Sequence, residues 1–299
     1  MAVTAGRSEV LIRQRLAALS RALPSARAGD VPAIHQARVA TRRLREALPL
    51  IARGSSGRKL ARTVRRLTRA LGPVRELDVA LLTLDEFGEQ PDVPRGGVLA
   101  LQQSIRQERG RMHRDMVRTI DRTRLDKLTE KLLAHAQKRD KLGPRPRTTD
   151  PKQLDAAHAR AGRRADRLRA SIENAAAIYL PDRLHEVRIA VKKLRYSMEI
   201  ARELSGSRAM ARIMTLKRAQ DLLGRIHDLE VLIARTRAIQ GSSNAPTLRI
   251  SADMDLLVRR LETECRRLHG RYIATRASLL SICDYASGLR PSRRRASAA

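Results

Sequence analysis

Apolar residues recur at three- and four-residue spacing along almost the whole chain, and no stretch alternates with period two. Ile34, Ala37, Thr41, Leu44 and Leu48 form one such stripe, and Leu184, Val187, Val191, Leu194 and Met198 form another. The pattern predicts an all-α protein. Helix punctuation falls at Leu23-Pro24-Ser25, from Gln90-Pro91 to Gly97, from Gly143-Pro144-Arg145-Pro146 to Pro151, from Tyr179 to Asp182, from Gly241 to Pro246 and at Arg290-Pro291. In the first half this leaves helical segments over 8–23, 31–52, 57–88 and 97–141. Pro73, inside the third segment, is expected to kink it.

The Pro-rich stretch lies near the midpoint, which prompts a search for a repeat. His35-Gln-Ala-Arg38-Val-Ala-Thr-Arg42-Arg43-Leu44-Arg45 aligns with His185-Glu-Val-Arg188-Ile-Ala-Val-Lys192-Lys193-Leu194-Arg195, with His, Leu and every basic position matched. Further on, the Leu-Gly segment Leu71-Gly72-Pro73-Val74-Arg75-Glu76-Leu77-Asp78-Val79 aligns with Leu223-Gly224-Arg225-Ile226-His227-Asp228-Leu229-Glu230-Val231, and Thr123-Arg124 with Thr275-Arg276. The expected organisation is a first helical repeat over 1–142, a linker over 143–151, a second repeat over 152–289 and a disordered basic tail over 290–299. Short connections between amphipathic helices favour antiparallel neighbours, so each repeat reads as a bundle of about four helices.

Charge changes the picture from fold to partner. Of 299 residues, 62 are Lys or Arg against 31 Asp or Glu, a formal net charge of +31. With 42% hydrophobic residues the chain still has the material for a core, so this is a folded polycation rather than a disordered one. At 100° per residue, His35, Arg38, Arg42 and Arg45 share an arc of roughly 80° beside the apolar stripe, and His185, Arg188, Lys192 and Arg195 do the same in the second copy. The nearby acids, Glu46, Glu186 and Glu199, are too few to pair with these cations one for one. Arg58, Arg62, Arg65 and Arg69 line up on the next segment, with Lys217 and Arg218 at the positions matching Arg65 and Arg66. A solvated helix face is the plain purpose of one basic run; its recurrence in both halves points to anion binding. Guanidinium groups suit phosphate oxygens because their donors form a rigid fork.

The motifs H-x-x-R-V-x-x-R-R-L-R at 35–45 and H-x-x-R-I-x-x-K-K-L-R-Y at 185–196, with the Leu-Gly segment after each, resemble the CHAD domain family over nearly the whole chain. The resemblance implies two pseudo-symmetric helical bundles around a basic central groove or pore, and binding of inorganic polyphosphate without catalysis. Carried over by motif, the polyphosphate-facing set is His35, Arg38, Arg42, Arg45, His185, Arg188, Lys192 and Arg195, to which the adjacent cations Arg43, Lys193, Arg65, Arg69 and Lys217 are added. Where the family has R-D-x-D-V, this chain has Arg75-Glu76-Leu77-Asp78-Val79, a longer acid in place of one Asp. The triphosphate-processing domain often joined to family members has no counterpart here.

Other chemistry is poorly supplied. Metal chelation by His35 and His185 lacks the third and fourth ligand that zinc needs. Asp228 beside His227, and Glu76 with Asp78, read as buttresses for basic side chains. An enzyme acting on phosphoanhydrides would need gathered carboxylates for a divalent cation, or a Gly-rich phosphate loop, and neither is seen. Neither an enzyme nor a cofactor is therefore expected. Non-specific nucleic-acid binding is the runner-up, disfavoured by aromatics at only 2% and by the lack of a recognition-helix signature; an adaptor for acidic partners is the third reading. Two isolated cysteines, Cys265 and Cys283, fit a reducing compartment. The N-terminus shows no signal-peptide pattern and no run is apolar enough for a membrane span, so a soluble cytoplasmic protein is expected, with polyphosphate granules as one place to find it. The oligomeric state is left open.

Overall fold

The computed structural model describes residues 7–52, 54–141, 151–242 and 246–289, and these residues form helices joined by short connections. In chain order they are α1 (Arg7–Ala28), α2 (Val31–Ile51), α3 (Gly54–Gly88), α4 (Arg95–Asp121), α5 (Leu125–Lys141), α6 (Pro151–Ala175), α7 (Pro181–Ser205), α8 (Met210–Gln240) and α9 (Leu248–Gly288). The chain is all-α, as the periodicity predicts. The linker expected at 143–151 lies outside the described residues except for Pro151, which opens α6, and the tail at 290–299 lies outside them entirely.

Two local expectations are revised, at Pro24 and in the segment 97–141. Pro24 does not end α1, which continues to Ala28 with Leu23 and Ala26 buried on its packing face, so burial outweighs the lost backbone bond. Pro73 lies within α3, a helix of 35 residues. The segment at 97–141 begins at Arg95 and divides into α4 and α5 around Arg122–Arg124, whereas α9 runs unbroken through the matching Thr275-Arg276 for 41 residues.

The order of neighbours recurs in the two halves. α1 packs on α2, α2 on α3, α3 on α4 and α5 back on α1; α6 packs on α7, α7 on α8, α8 on α9 and α9 back on α6. The helices α4 and α5 together thus occupy the place that α9 fills alone. Contacts of α2 with α7, α3 with α8 and α4 with α9 bring the halves together. Both apolar stripes read from sequence are buried, Ile34, Ala37, Leu44 and Leu48 in α2 and Leu184, Val187, Val191, Leu194 and Met198 in α7. Full burial of such a side chain is worth about 1.5–3 kcal/mol.

The helices that carry the basic stripes start at defined points. Gly29, at φ 96°, takes the left-handed turn that lets α1 stop and α2 begin. The Asp30 side chain caps α2 by accepting from the Ala33 N–H at 2.7 Å, with Pro32 in the first turn. Pro181 opens α7, and Gly206, at φ 72°, closes it.

Candidate anion-binding cavity

Packing α2 and α3 against α7 and α8 turns the two basic stripes toward one another. Between the four helices lies an open-mouthed cavity of about 560 Å³. From the first half it is lined by His35, Arg38 and Arg42 of α2 and by Gly72, Arg75 and Glu76 of α3; from the second by His185, Arg188 and Lys192 of α7 and by Gly224, Arg225 and His227 of α8, with Asp221 and Asp228.

Some of these cations are held by contacts that leave their charge uncancelled. Arg38 Nη1 donates to the Thr68 carbonyl at 3.2 Å, and the Arg42 guanidinium lies 5.5 Å from the centre of the Tyr196 ring. Tyr196 belongs to α7, so an aromatic ring from one half steadies a cation from the other. Among the described residues none of Arg38, Arg42, Arg75, Arg188 and Lys192 has an ion-pair partner within 4.0 Å. Arg225 differs, pairing with Glu86 at 2.6 Å.

Burial, and after it the crowding of like charge around several of the groups, shifts the protonation equilibria. Burial first, and then Arg42, Arg188, Arg38 and Arg45, push the Lys192 ammonium down to about 6. Burial pushes Arg38 down to about 10, and Arg42 adds to the effect. His227 falls to about 4 through burial together with Arg188, His185 and Lys192. Burial, aided by neighbouring cations, lowers His35 and His185 in the same direction. Asp228 rises to about 6 because burial outweighs the pull of Arg188, Arg225 and Arg75. Lys192 and the histidines of the cavity therefore release their protons more readily than usual and Asp228 less readily, and an anion among them would favour the protonated form of each.

The sequence-predicted residues separate into groups. His35, Arg38, Arg42, His185, Arg188 and Lys192 meet at the cavity. Arg45 is half-buried beside it, near enough for its charge to bear on Arg42 and Lys192. Arg195 is buried, donates to Gln220 at 3.1 Å, pairs with Glu199 and stacks 4.4 Å from the Tyr196 ring centre. Arg43 and Lys193 point to the outer flanks: Arg43 lines a second cavity with Arg15 and Glu203, and Lys193 one with Arg164 and Glu186. Arg65, Arg69 and Lys217 are exposed and do not line the central cavity.

Arg75, Arg225 and His227 face the cavity although sequence reasoning did not place them among the binding residues. A signal existed: Arg75 and His227 each stand three positions after a repeated glycine, on the same helix face. The acids also sort differently. Asp78 is buried and accepts from Arg109 Nε at 2.5 Å, while Arg109 Nη2 donates to the Gly29 carbonyl at 2.9 Å, so this carboxylate ties α3 to α4 and to the start of α2. Its counterpart Glu230 accepts from the Tyr179 hydroxyl. His185 Nδ1 faces His227 Nδ1 at 3.2 Å rather than His35. Among the described residues no three His, Cys, Asp or Glu side chains are placed to hold a metal ion, and no helix is long and apolar enough to cross a membrane.

Fold and site together define a helical-bundle polycation with an anion-suited cavity built from a repeated basic helix. The sequence model of the CHAD domain matches residues 10–237, and the chain belongs to that family. The crystal structure of the CHAD domain from the plant Ricinus communis superposes with a TM-score of 0.60 at 20% identity, covering 98% of this chain and 95% of that one. PptA from Streptomyces chartreusis superposes with a TM-score of 0.59 at 18% identity, covering 90% of this chain and 98% of that one. At these identities the likeness is one of fold. Comparison with curated proteins gives no significant match.

Proposed function

We propose that this protein binds inorganic polyphosphate, without catalysis, in the cavity between α2, α3, α7 and α8. The observation that carries the reading is the meeting in one cavity of Arg38, Arg42, Arg188 and Lys192, cations from both halves that lack an ion-pair partner among the described residues. A chain of phosphates without bases asks only for closely spaced cations, which is what the walls supply. A cavity of about 560 Å³ falls within the roughly 300–1,000 Å³ usual for ligand sites. Duplex DNA, whose phosphates flank a stacked core, would touch only the mouth. Polyphosphate granules are where a protein with this activity would collect.

Calorimetric titration with polyphosphate and with single-stranded DNA of equal charge, at near-physiological salt, tests the reading. Polyphosphate should bind more tightly. Its affinity should fall on the order of 10³-fold between 50 and 200 mM salt if six or more charges engage. Equal or tighter binding of DNA would favour a general nucleic-acid binder, and a flat salt response would remove the cavity from the account.

A further inference from the structure

The repeated Leu-Gly puts one glycine in each wall of the cavity, Gly72 on α3 and Gly224 on α8. Neither sits at a turn, and glycine inside a helix weakens it relative to alanine, so each calls for a reason. At Gly72 the surroundings supply one. A Cβ added there would stand 2.8 Å from Arg38 Nη1, and the next nearest atoms, at 3.7 and 3.9 Å, are Cζ and Nη2 of the same guanidinium. At Gly224 the approach is looser, with Arg188 Nε at 4.0 Å. The Arg38 side chain thus crosses from α2 and lies against α3 where that helix has no side chain, and there Nη1 reaches the Thr68 carbonyl one turn earlier.

We infer that Gly72 is a positioning residue for anion binding: its missing side chain is a notch in α3 that seats the Arg38 guanidinium against the helix backbone and fixes its aim into the cavity. The inference rests on the proposed polyphosphate site and adds to it the means by which one long side chain is held ready. An arginine already confined loses less freedom when it takes a phosphate than one that must be ordered on binding. Arg188, with a looser neighbour at Gly224, is not confined in this way. Helix packing alone does not account for Gly72, because the three atoms nearest the added Cβ all belong to Arg38. Its place before Pro73 offers a rival reason, since a residue preceding proline is crowded by the ring in helical geometry. The two reasons separate experimentally, because only one acts through Arg38.

Full-length wild type, Gly72→Ala, Gly224→Ala, Arg38→Ala and the Gly72→Ala/Arg38→Ala double variant should be titrated with polyphosphate of one chain length, with helical content checked by circular dichroism. Gly72→Ala is expected to weaken binding about tenfold, the loss of one well-placed charge-assisted contact. Gly224→Ala should cost a smaller factor, and Gly72→Ala should cost nothing further once Arg38 is absent. If Gly72→Ala does not fold, Arg38→Lys, which cannot lay a planar fork in the notch, should lose more affinity than Arg188→Lys. The inference is overturned if Gly72→Ala binds like wild type, if it costs the same factor without Arg38, or if Arg38→Lys and Arg188→Lys lose equally. Failure of wild type to bind polyphosphate, or indifference to Arg38→Ala, would instead overturn the polyphosphate site itself and this inference with it.

Discussion

On the α2–α3 wall the cavity is faced by Arg38, Arg42 and Arg75, while the matching positions of the α7–α8 wall hold Arg188, Lys192 and His227. Both walls are crowded and half-buried, yet they respond differently. A guanidinium starts so high that Arg38, lowered to about 10, remains charged at neutral pH. An ammonium and an imidazole under the same pressure do not, and Lys192 reaches about 6 and His227 about 4. The first wall is a fixed field. The second holds charge according to pH and to what occupies the cavity. On the flanks, Arg45 bears on Lys192 and Arg42, and the corresponding Arg195, although paired with Glu199, still bears on Arg42.

The largest effect should come from reversing charge on the walls. Three double variants change the formal charge equally: Arg38→Glu with Arg42→Glu, Arg188→Glu with Lys192→Glu, and Arg293→Glu with Arg294→Glu in the tail. At pH 8 the first should weaken polyphosphate binding on the order of 10³-fold, since each reversal removes a charge-assisted contact and adds repulsion. The second should lose less, because Lys192 there gives up a charge it holds only when the cavity is filled. The tail pair should lose less than about 1 kcal/mol after screening over a Debye length. Equal losses for all three would mean that bulk charge, and neither wall, does the binding.

An intermediate effect is expected from pH, and its sign follows from the direction of the shifts. Lys192, lowered to about 6, is mostly neutral above that pH, and phosphates beside it would raise its proton affinity. Between about 6 and the raised bound value, binding takes up a proton, so affinity falls as pH rises; below about 6 the group is charged already and its contribution is constant. His227 acts in the same sense from about 4 upward, and so does Asp228, which a polyanion would push further above about 6. Titrations at pH 7 in buffers of different ionisation enthalpy should show net proton uptake, and Lys192→Arg should reduce it. Absence of uptake in wild type would show that the second wall is charged before the ligand arrives.

The smallest effect belongs to the outer cations. Arg43→Gln and Lys193→Gln should each weaken binding by only about 0.2–1 kcal/mol, as for exposed charges generally. Arg43 already stands 3.7 Å from Glu199, and the Lys193 side chain is exposed on the far flank. A loss comparable to that of Arg42→Gln, measured in the same titration, would extend the binding surface beyond the central cavity.

Helix type and the shared faces that bring six of the expected residues to one cavity were legible because both depend on spacing along a single helix. His35, Arg38 and Arg42 share a face whatever they pack against, and so do His185, Arg188 and Lys192. What spacing does not report is the partner across the gap. Arg195 sits at a stripe position, but Glu199 one turn later and Gln220 from α8 claim it. Arg65, Arg69 and Lys217 share arcs that happen to face solvent. Likewise Thr123-Arg124 and Thr275-Arg276 read alike, yet the chain turns at one and continues through the other. In the first case Thr123 N–H bonds to Ile120 O at 2.9 Å and its hydroxyl to Thr119 O at 2.8 Å, closing the end of α4.

The two apolar clusters do not divide where the sequence repeat does. Ile200, Ala201 and Leu204, at the end of α7, are buried with α1, α2 and α5, while Leu77, Leu84 and Phe87 of α3 and Val98, Leu101 and Ile105 of α4 are buried with α7, α8 and α9. Each half thus completes the interior of the other. A fragment cut at the midpoint would lose part of its own interior and expose what it had lent, an apolar surface of the kind that drives association. The sequence repeats, but the molecule is indivisible: the two basic walls are kept at their spacing by the same sharing of apolar interior that lets the chain fold.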